Sequence, residues 1–284
     1  MPVRHFFFPM SEFLHLRRQM ETYSIPSQHL GREVVFEVRT YPKEAKDFSE
    51  GLLLLVNDGQ DSKAIGLEEA LLEFSQTETK LPILSVAILV GERRQEYGII
   101  DRPDFAQRGS KAGAYAHFVT DELTKWLKSR FTLPRSPEHR AIMGFSLGAL
   151  SAFGLAWENA GFLGTAGLFS GSFWWRSHDL DDDYQPGDRI ALQLVRETSK
   201  KPPLKLWFQT GAMDESADRD QDGLIDSIGD TADLMLALEK MGFQAGIDME
   251  YLESGNGYHD HKTMSRVLPH FLKWWAKNLG LTSL

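Results

Sequence analysis

Apolar and polar positions follow two rhythms along this chain. Short continuous apolar runs occur at residues 52–56 and 83–90 and suit parallel strands covered on both faces. Residues 33–41 instead mix β-branched, aromatic and charged side chains in near alternation, as an edge or antiparallel strand does. Further strand-sized runs lie at 141–145, 164–169, 204–209 and 248–252. Between them, helical spacing is read at 67–76, 115–130, 147–157, 189–198, 231–241 and 263–278. Strands that alternate with helices predict a mostly parallel sheet with helices on both faces. The two strands before the first helix are expected to form an antiparallel edge. One α/β domain over 21–284, preceded by an extension over 1–20, accounts for the chain.

The extension carries Phe6-Phe7-Phe8 followed by Pro9, Glu12, Arg17 and Arg18. It lacks the apolar stretch and small-residue site of a signal peptide. No run approaches the roughly 18 apolar residues of a membrane helix. A cytoplasmic protein without membrane contact is the expectation. The net charge of −9 supplies no basic footprint, which argues against nucleic acid as a partner. Neither G-x-G-x-x-G nor a Walker loop is visible, so no nucleotide or other cofactor is implied. Cysteine is absent, so a thiolate metal site and a cysteine nucleophile are excluded.

An oxygen nucleophile has a clear place. Gly144-Phe145-Ser146-Leu147-Gly148 reads G-x-S-x-G after an apolar strand and before a helix, the context a nucleophile elbow requires. The glycines clear a tight strand-to-helix crossing, and the new helix aims its first amides at developing negative charge. A serine nucleophile needs an imidazole base, which in this chain order follows an intervening acid. His259, after Gly257-Tyr258 on a Gly-rich segment behind the last strand, is the expected base, with His261 as the fallback. Asp214 is the first carboxylate after the penultimate strand and would hold His259 in its working tautomer; Glu215 is the alternative. The Leu147 amide is one expected oxyanion donor. The Gln60 amide is the other, turned inward by Gly59 in Asn57-Asp58-Gly59-Gln60-Asp61, with Asp61 as the alternative.

Phe145, Phe173, Trp174, Trp175 and Tyr258 fall near these positions and are read as substrate-pocket residues, although the two tryptophans could equally belong to the core. The loop Asp218-Arg219-Asp220-Gln221-Asp222-Gly223-Leu224-Ile225-Asp226 repeats the D-x-D-x-D-G of a calcium loop. Gly229 occupies the twelfth position, where an EF-hand needs Glu, and a solvated acidic loop is the simpler reading; no metal is expected in the site.

The chain resembles the esterase D and enterochelin-esterase group of α/β-hydrolases from about Tyr23 to Trp275. Beyond the elbow, Asn57-Asp58-Gly59-Gln60 resembles its oxyanion loop, Arg93-Arg94-Gln95-Glu96-Tyr97 its R-x-x-E-Y segment, and Phe118 to Leu127 a helix start. Ser170-Gly171-Ser172-Phe173-Trp174-Trp175 resembles its S-G-S-x-W-W stretch. Gly257-Tyr258-His259, nine positions ahead of the pair Leu268-Pro269, resembles its final loop and helix, while Met264 stands where the family often has Trp. The resemblance implies an α/β-hydrolase fold, a Ser146, Asp214, His259 triad, and hydrolysis of a small-molecule ester. An acyltransferase of the same fold, or a binding protein on a hydrolase scaffold, are the alternatives.

Overall fold

The computed structural model describes residues 20–180 and 183–281. Residues 1–19 of the proposed extension lie outside the described residues. Eight strands form one sheet: β1 (Met20–Ser27), β2 (Arg32–Tyr41), β3 (Leu52–Val56), β4 (Ile83–Ile88), β5 (Arg140–Phe145), β6 (Thr165–Phe169), β7 (Lys205–Met213) and β8 (Met249–Tyr258). Their order is β1-β2-β4-β3-β5-β6-β7-β8. β2 runs antiparallel to both β1 and β4, and all pairs from β4 to β8 are parallel. The antiparallel edge is present, but its members are β1 and β2. Leu52–Val56, the second strand before the first helix, lies inside the parallel part, as its five buried apolar residues require.

Period-two alternation divides these strands between two cores. Leu53 and Leu55 of β3, Ile142 of β5 and Phe208 of β7 face one side. Leu52, Leu54, Val56, Ala141, Met143 and Trp207 face the other. The first side is covered by α2 (residues 112–128), α3 (Leu147–Glu158), α4 (Ile190–Glu197) and α5 (Asp226–Met241). α1 (Leu67–Thr77) and α6 (His261–Asn278) cover the second. α3 is buried on nearly all sides, which explains a helix with almost no polar face. α2 contains a π-helical segment, Phe118–Leu123, between two α-helical stretches. No helix among the described residues is long and apolar enough to cross a membrane.

Candidate active site

Ser146 stands between the end of β5 and the first residue of α3, with φ 57° and ψ −120°. A β-carbon makes that conformation costly, by about 1–3 kcal/mol, so the surroundings must enforce it. They do so through backbone contacts. The Ser146 N–H donates to the Phe169 carbonyl at 2.9 Å, and the Ser146 carbonyl accepts from Ala149, Leu150 and Ser172 at 3.0, 3.2 and 3.1 Å. A β-carbon on Gly144 would lie 2.3 Å from the Gly148 carbonyl, and one on Gly148 would lie 2.7 Å from Asp58 Oδ2. The two flanking glycines are therefore needed for closeness. Leu147 supplies the first amide of α3, among those that a helix leaves without an internal partner.

The loop after β3 is locked onto this elbow. Asn57 Nδ2 donates to the Gly148 carbonyl at 2.8 Å, and Tyr115 Oη donates to Asn57 Oδ1 at 2.6 Å. The Asp58 N–H donates to Tyr97 Oη at 2.8 Å. Arg93, on the helical turn Arg93–Glu96, grips Asp58 with Nε and a terminal nitrogen at 2.9 and 3.0 Å and donates to the Phe145 carbonyl at 3.1 Å. Burial alone would lower the Arg93 pKa; the hydrogen bond and charge of Asp58 outweigh it, and the net shift is upward. Glu96 anchors the same turn through Arg32 at 2.7 Å. Burial pushes its carboxyl up, but Arg32 and the Glu92 and Gly91 amides more than reverse this and hold it below its ordinary value.

The turn differs from expectation in one respect. The left-handed residue is Asp58 (φ 56°), a residue type that tolerates this region, and not Gly59. Gly59 is required because a β-carbon would stand 2.7 Å from the Ala87 backbone of β4. Gln60 follows at the exposed rim, and its side chain donates to Asp58 Oδ1 at 3.0 Å.

The carboxylate and imidazole meet through β7 and β8. Both strands run several residues beyond the predicted ends, to Met213 and Tyr258, which are paired. Asp214 and His259 are the next residue on each strand and so emerge side by side. The register shifts between Gly211 and Met213. Gly211 and Gly257 are in close contact there: a β-carbon on Gly211 would lie 2.5 Å from both Asp214 Oδ1 and the Gly257 carbonyl. Residues 254–258 are thus strand and not the flexible loop expected from their glycines. The glycines serve close approach.

His259 Nδ1 stands 3.9 Å from Asp214 Oδ2, with the Asp214 side chain only 1% exposed. Glu215, the alternative acid, faces solvent. The His259 ring packs on Phe145 with centroids 4.6 Å apart, which brings the imidazole to the residue preceding Ser146. The fallback base His261 begins α6 and faces Asp61 on the loop after β3, Nε2 to Oδ2 3.5 Å. Asp260 caps that helix by accepting from the Thr263 N–H at 2.7 Å.

The aromatic residues separate. Phe145 and Trp174 are half-buried, and Tyr258 is 54% exposed. Phe173 and Trp175 are buried in the core among Phe153, Phe208 and neighbouring aliphatic side chains. They support the site from beneath and do not line a surface that a substrate reaches, which corrects their placement in the pocket. Ser172, in the same stretch, places Oγ 3.3 Å from Ser146 Oγ. Sequence reasoning gave no role to Arg93, Tyr97 and Tyr115, which the structure brings to the loop beside Ser146, and read Ser170-Gly171-Ser172 only as pocket wall. R-x-x-E-Y marked Arg93 and Tyr97 without a role, and nothing local marked Tyr115.

In the acidic loop, Asp218, Asp220 and Asp222 bring carboxylate oxygens within 4.8 Å of one another. Asp226, the fourth member of the repeat, instead opens α5 and accepts from the Arg219 N–H at 2.8 Å. Behind it, Asp230 is buried between Arg189 and Arg219.

Residues 27–271 match the family model described as "Putative esterase". None of the curated proteins matches the chain. Among solved structures, a ferulic acid esterase superposes with TM-score 0.66 at 14% identity, over 91% of this chain and 98% of that one. The siderophore hydrolase EstB from Aspergillus nidulans gives 0.66 at 15%, over 91% and 96%. The enterochelin esterase from Shigella flexneri gives 0.71 at 15%; it covers 92% of this chain, which spans 59% of that protein. The likeness places the sheet and its helices in the α/β-hydrolase fold.

Proposed function

The chain belongs to this esterase family, and from that premise we propose that it is a serine hydrolase of carboxylic esters. The observation that carries the reading is the meeting of three strand ends: Ser146 in a strained turn after β5, with Asp214 and His259 emerging together from β7 and β8. In this reading Ser146 Oγ attacks the ester carbonyl carbon and passes its proton to His259. The carbonyl electron pair moves onto oxygen, facing the Leu147 and Gln60 amides. Collapse expels the alcohol, which takes the proton from His259 and leaves an acyl-enzyme. Water then attacks, its proton goes to His259, and the acid departs as Ser146 Oγ is reprotonated. Asp214 holds the imidazole by Nδ1 and stabilises it when charged. The half-buried Phe145 and Trp174 and the exposed Tyr258 would offer apolar contact to a small-molecule ester.

The test combines a fluorophosphonate with a panel of p-nitrophenyl, feruloyl and trilactone esters. The expected outcome is one label per chain and an acyl burst, both abolished in Ser146→Ala, with kcat down by roughly 10⁴–10⁶-fold. Retained turnover in that variant, or activity confined to phosphate esters or peptides, sinks the reading. Added alcohols that divert the acyl group would identify a transferase.

A further inference from the structure

The triad leaves Ser170-Gly171-Ser172 without a role, yet the fold brings this stretch against the nucleophile. Directly after β6, Ser170 turns the chain with φ 43°. Its N–H donates to the Gln209 carbonyl of β7 at 2.7 Å. Ser172 is then held from both sides: its N–H donates to the Ser146 carbonyl at 3.1 Å, and its carbonyl accepts from the Trp175 N–H at 3.1 Å. The buried rings of Phe173 and Trp175 hold the following residues in the core. Ser172 itself is only 3% exposed. Its hydroxyl oxygen lies 3.3 Å from Ser146 Oγ.

We propose that the Ser172 hydroxyl is a further catalytic residue that donates a hydrogen bond to Ser146 Oγ while that oxygen acts as nucleophile; this rests on Ser146 being the nucleophile. The Ser146 hydroxyl has one proton, and it is useful only if it goes to His259. Ser172 has a proton to spare and a lone pair of Ser146 to aim it at. At 3.3 Å the contact is longer than the 2.7–2.8 Å of a good O–H···O bond, so it adds little in the resting state. As the proton leaves Ser146, negative charge grows on Oγ, and bonds to such oxygens shorten to about 2.5–2.7 Å and strengthen about twofold. The burial of Ser172 shields its side of this part-buried pair from water and adds to the gain. An interaction stronger in the transition state than in the ground state acts on the acylation rate and not on substrate affinity.

The experiment measures fluorophosphonate labelling of Ser146, the p-nitrophenyl acetate burst and Tm in wild type, Ser172→Ala and Ser172→Thr. Ser172→Ala is expected to slow labelling and burst alike by about 10–100-fold, with Tm near wild type and the substrate affinity read from the concentration dependence of the burst unchanged. Ser172→Thr, which keeps the hydroxyl, is expected to recover much of the rate. Wild-type labelling by Ser172→Ala overturns the proposal, as does a rate loss that tracks a fall in Tm. A folded Ser172→Thr protein as slow as the alanine variant overturns it too. If Ser172→Thr does not fold, the rate and Tm of Ser172→Ala decide alone. Failure of the underlying reading is seen separately, in an unlabelled wild type or an active Ser146→Ala.

Discussion

Around Ser146, the polar side chains of Asn57, Asp58 and Arg93 are hydrogen-bonded to the elbow or to one another. Around Asp214, the carboxylate is as deeply buried, yet neither oxygen has a hydrogen-bond partner among the described residues, and His259 Nδ1 stands at 3.9 Å. The Ser146 side is held by backbone geometry and by the hydrogen bonds of Asn57, Asp58 and Arg93. The acid–base side is held by glycine contacts between β7 and β8 and by the packing of His259 on Phe145. A buried carboxylate gains most from a partner that is charged. In the proposed mechanism the Asp214–His259 contact would therefore be strongest with the imidazole protonated, and a shift of about 1 Å brings it to hydrogen-bond length.

The contrast can be tested by perturbing each side. The largest effect is expected from Asp214→Asn, which keeps the shape and removes the charge: kcat falls by about 10⁴-fold while Tm holds or rises. A loss below tenfold would place the acid elsewhere, and Glu215→Gln then becomes the comparison. Gly211→Ala comes next. Its methyl group would overlap Asp214 Oδ1 and the Gly257 carbonyl, and displacement of the acid by about 1 Å costs roughly 10²-fold in kcat. An unchanged kcat in a folded Gly211→Ala protein would show that the Gly211–Gly257 contact does not set the acid. The smallest effect belongs to the nucleophile side. Glu96→Gln loosens the turn that carries Arg93 and costs about 1–3 kcal/mol of stability, read as a lower urea midpoint. The sign with pH follows from the lowered carboxyl of Glu96. The stabilisation is fully present above the ordinary value of 4.5 and is lost as pH falls through the lower folded value. The gap between wild type and variant should close in acid; a gap that widens would contradict the assignment.

Much of the site was legible because its parts are local. Gly144 to Gly148 form a recognisable motif, and the crowding that requires Gly144 comes from Gly148 itself, although Gly148 is crowded by the distant Asp58. Asp214 and His259 were found by position, as the first suitable groups after apolar runs. The ends of those runs were misjudged, because β7 and β8 continue through Thr210, Gly211, Ser254 and Gly255, which carry little apolar signal. Gly59 was assigned the turn that Asp58 makes, since the contact that excludes a side chain at Gly59 comes from β4, far along the chain. Phe173 and Trp175 looked like pocket residues because they follow a strand end, and composition alone does not separate a core aromatic from an exposed one.

The sequence by itself determined the alternation of strands and helices, the two-sided burial of β3 to β7, and the strained serine between β5 and α3. The first two depend on side-chain periodicity and the third on the G-x-S-x-G motif, although Phe169 and Ser172, far along the chain, help hold the Ser146 backbone in place. Only the tertiary structure decided that Asn57 binds Gly148, that Arg93 spans Asp58 and Phe145, and that Ser172 reaches Ser146. These contacts join residues 26 to 91 positions apart. Their distances follow from strand order and register, which bring the C-terminal ends of β3, β5 and β6 together at one end of the sheet.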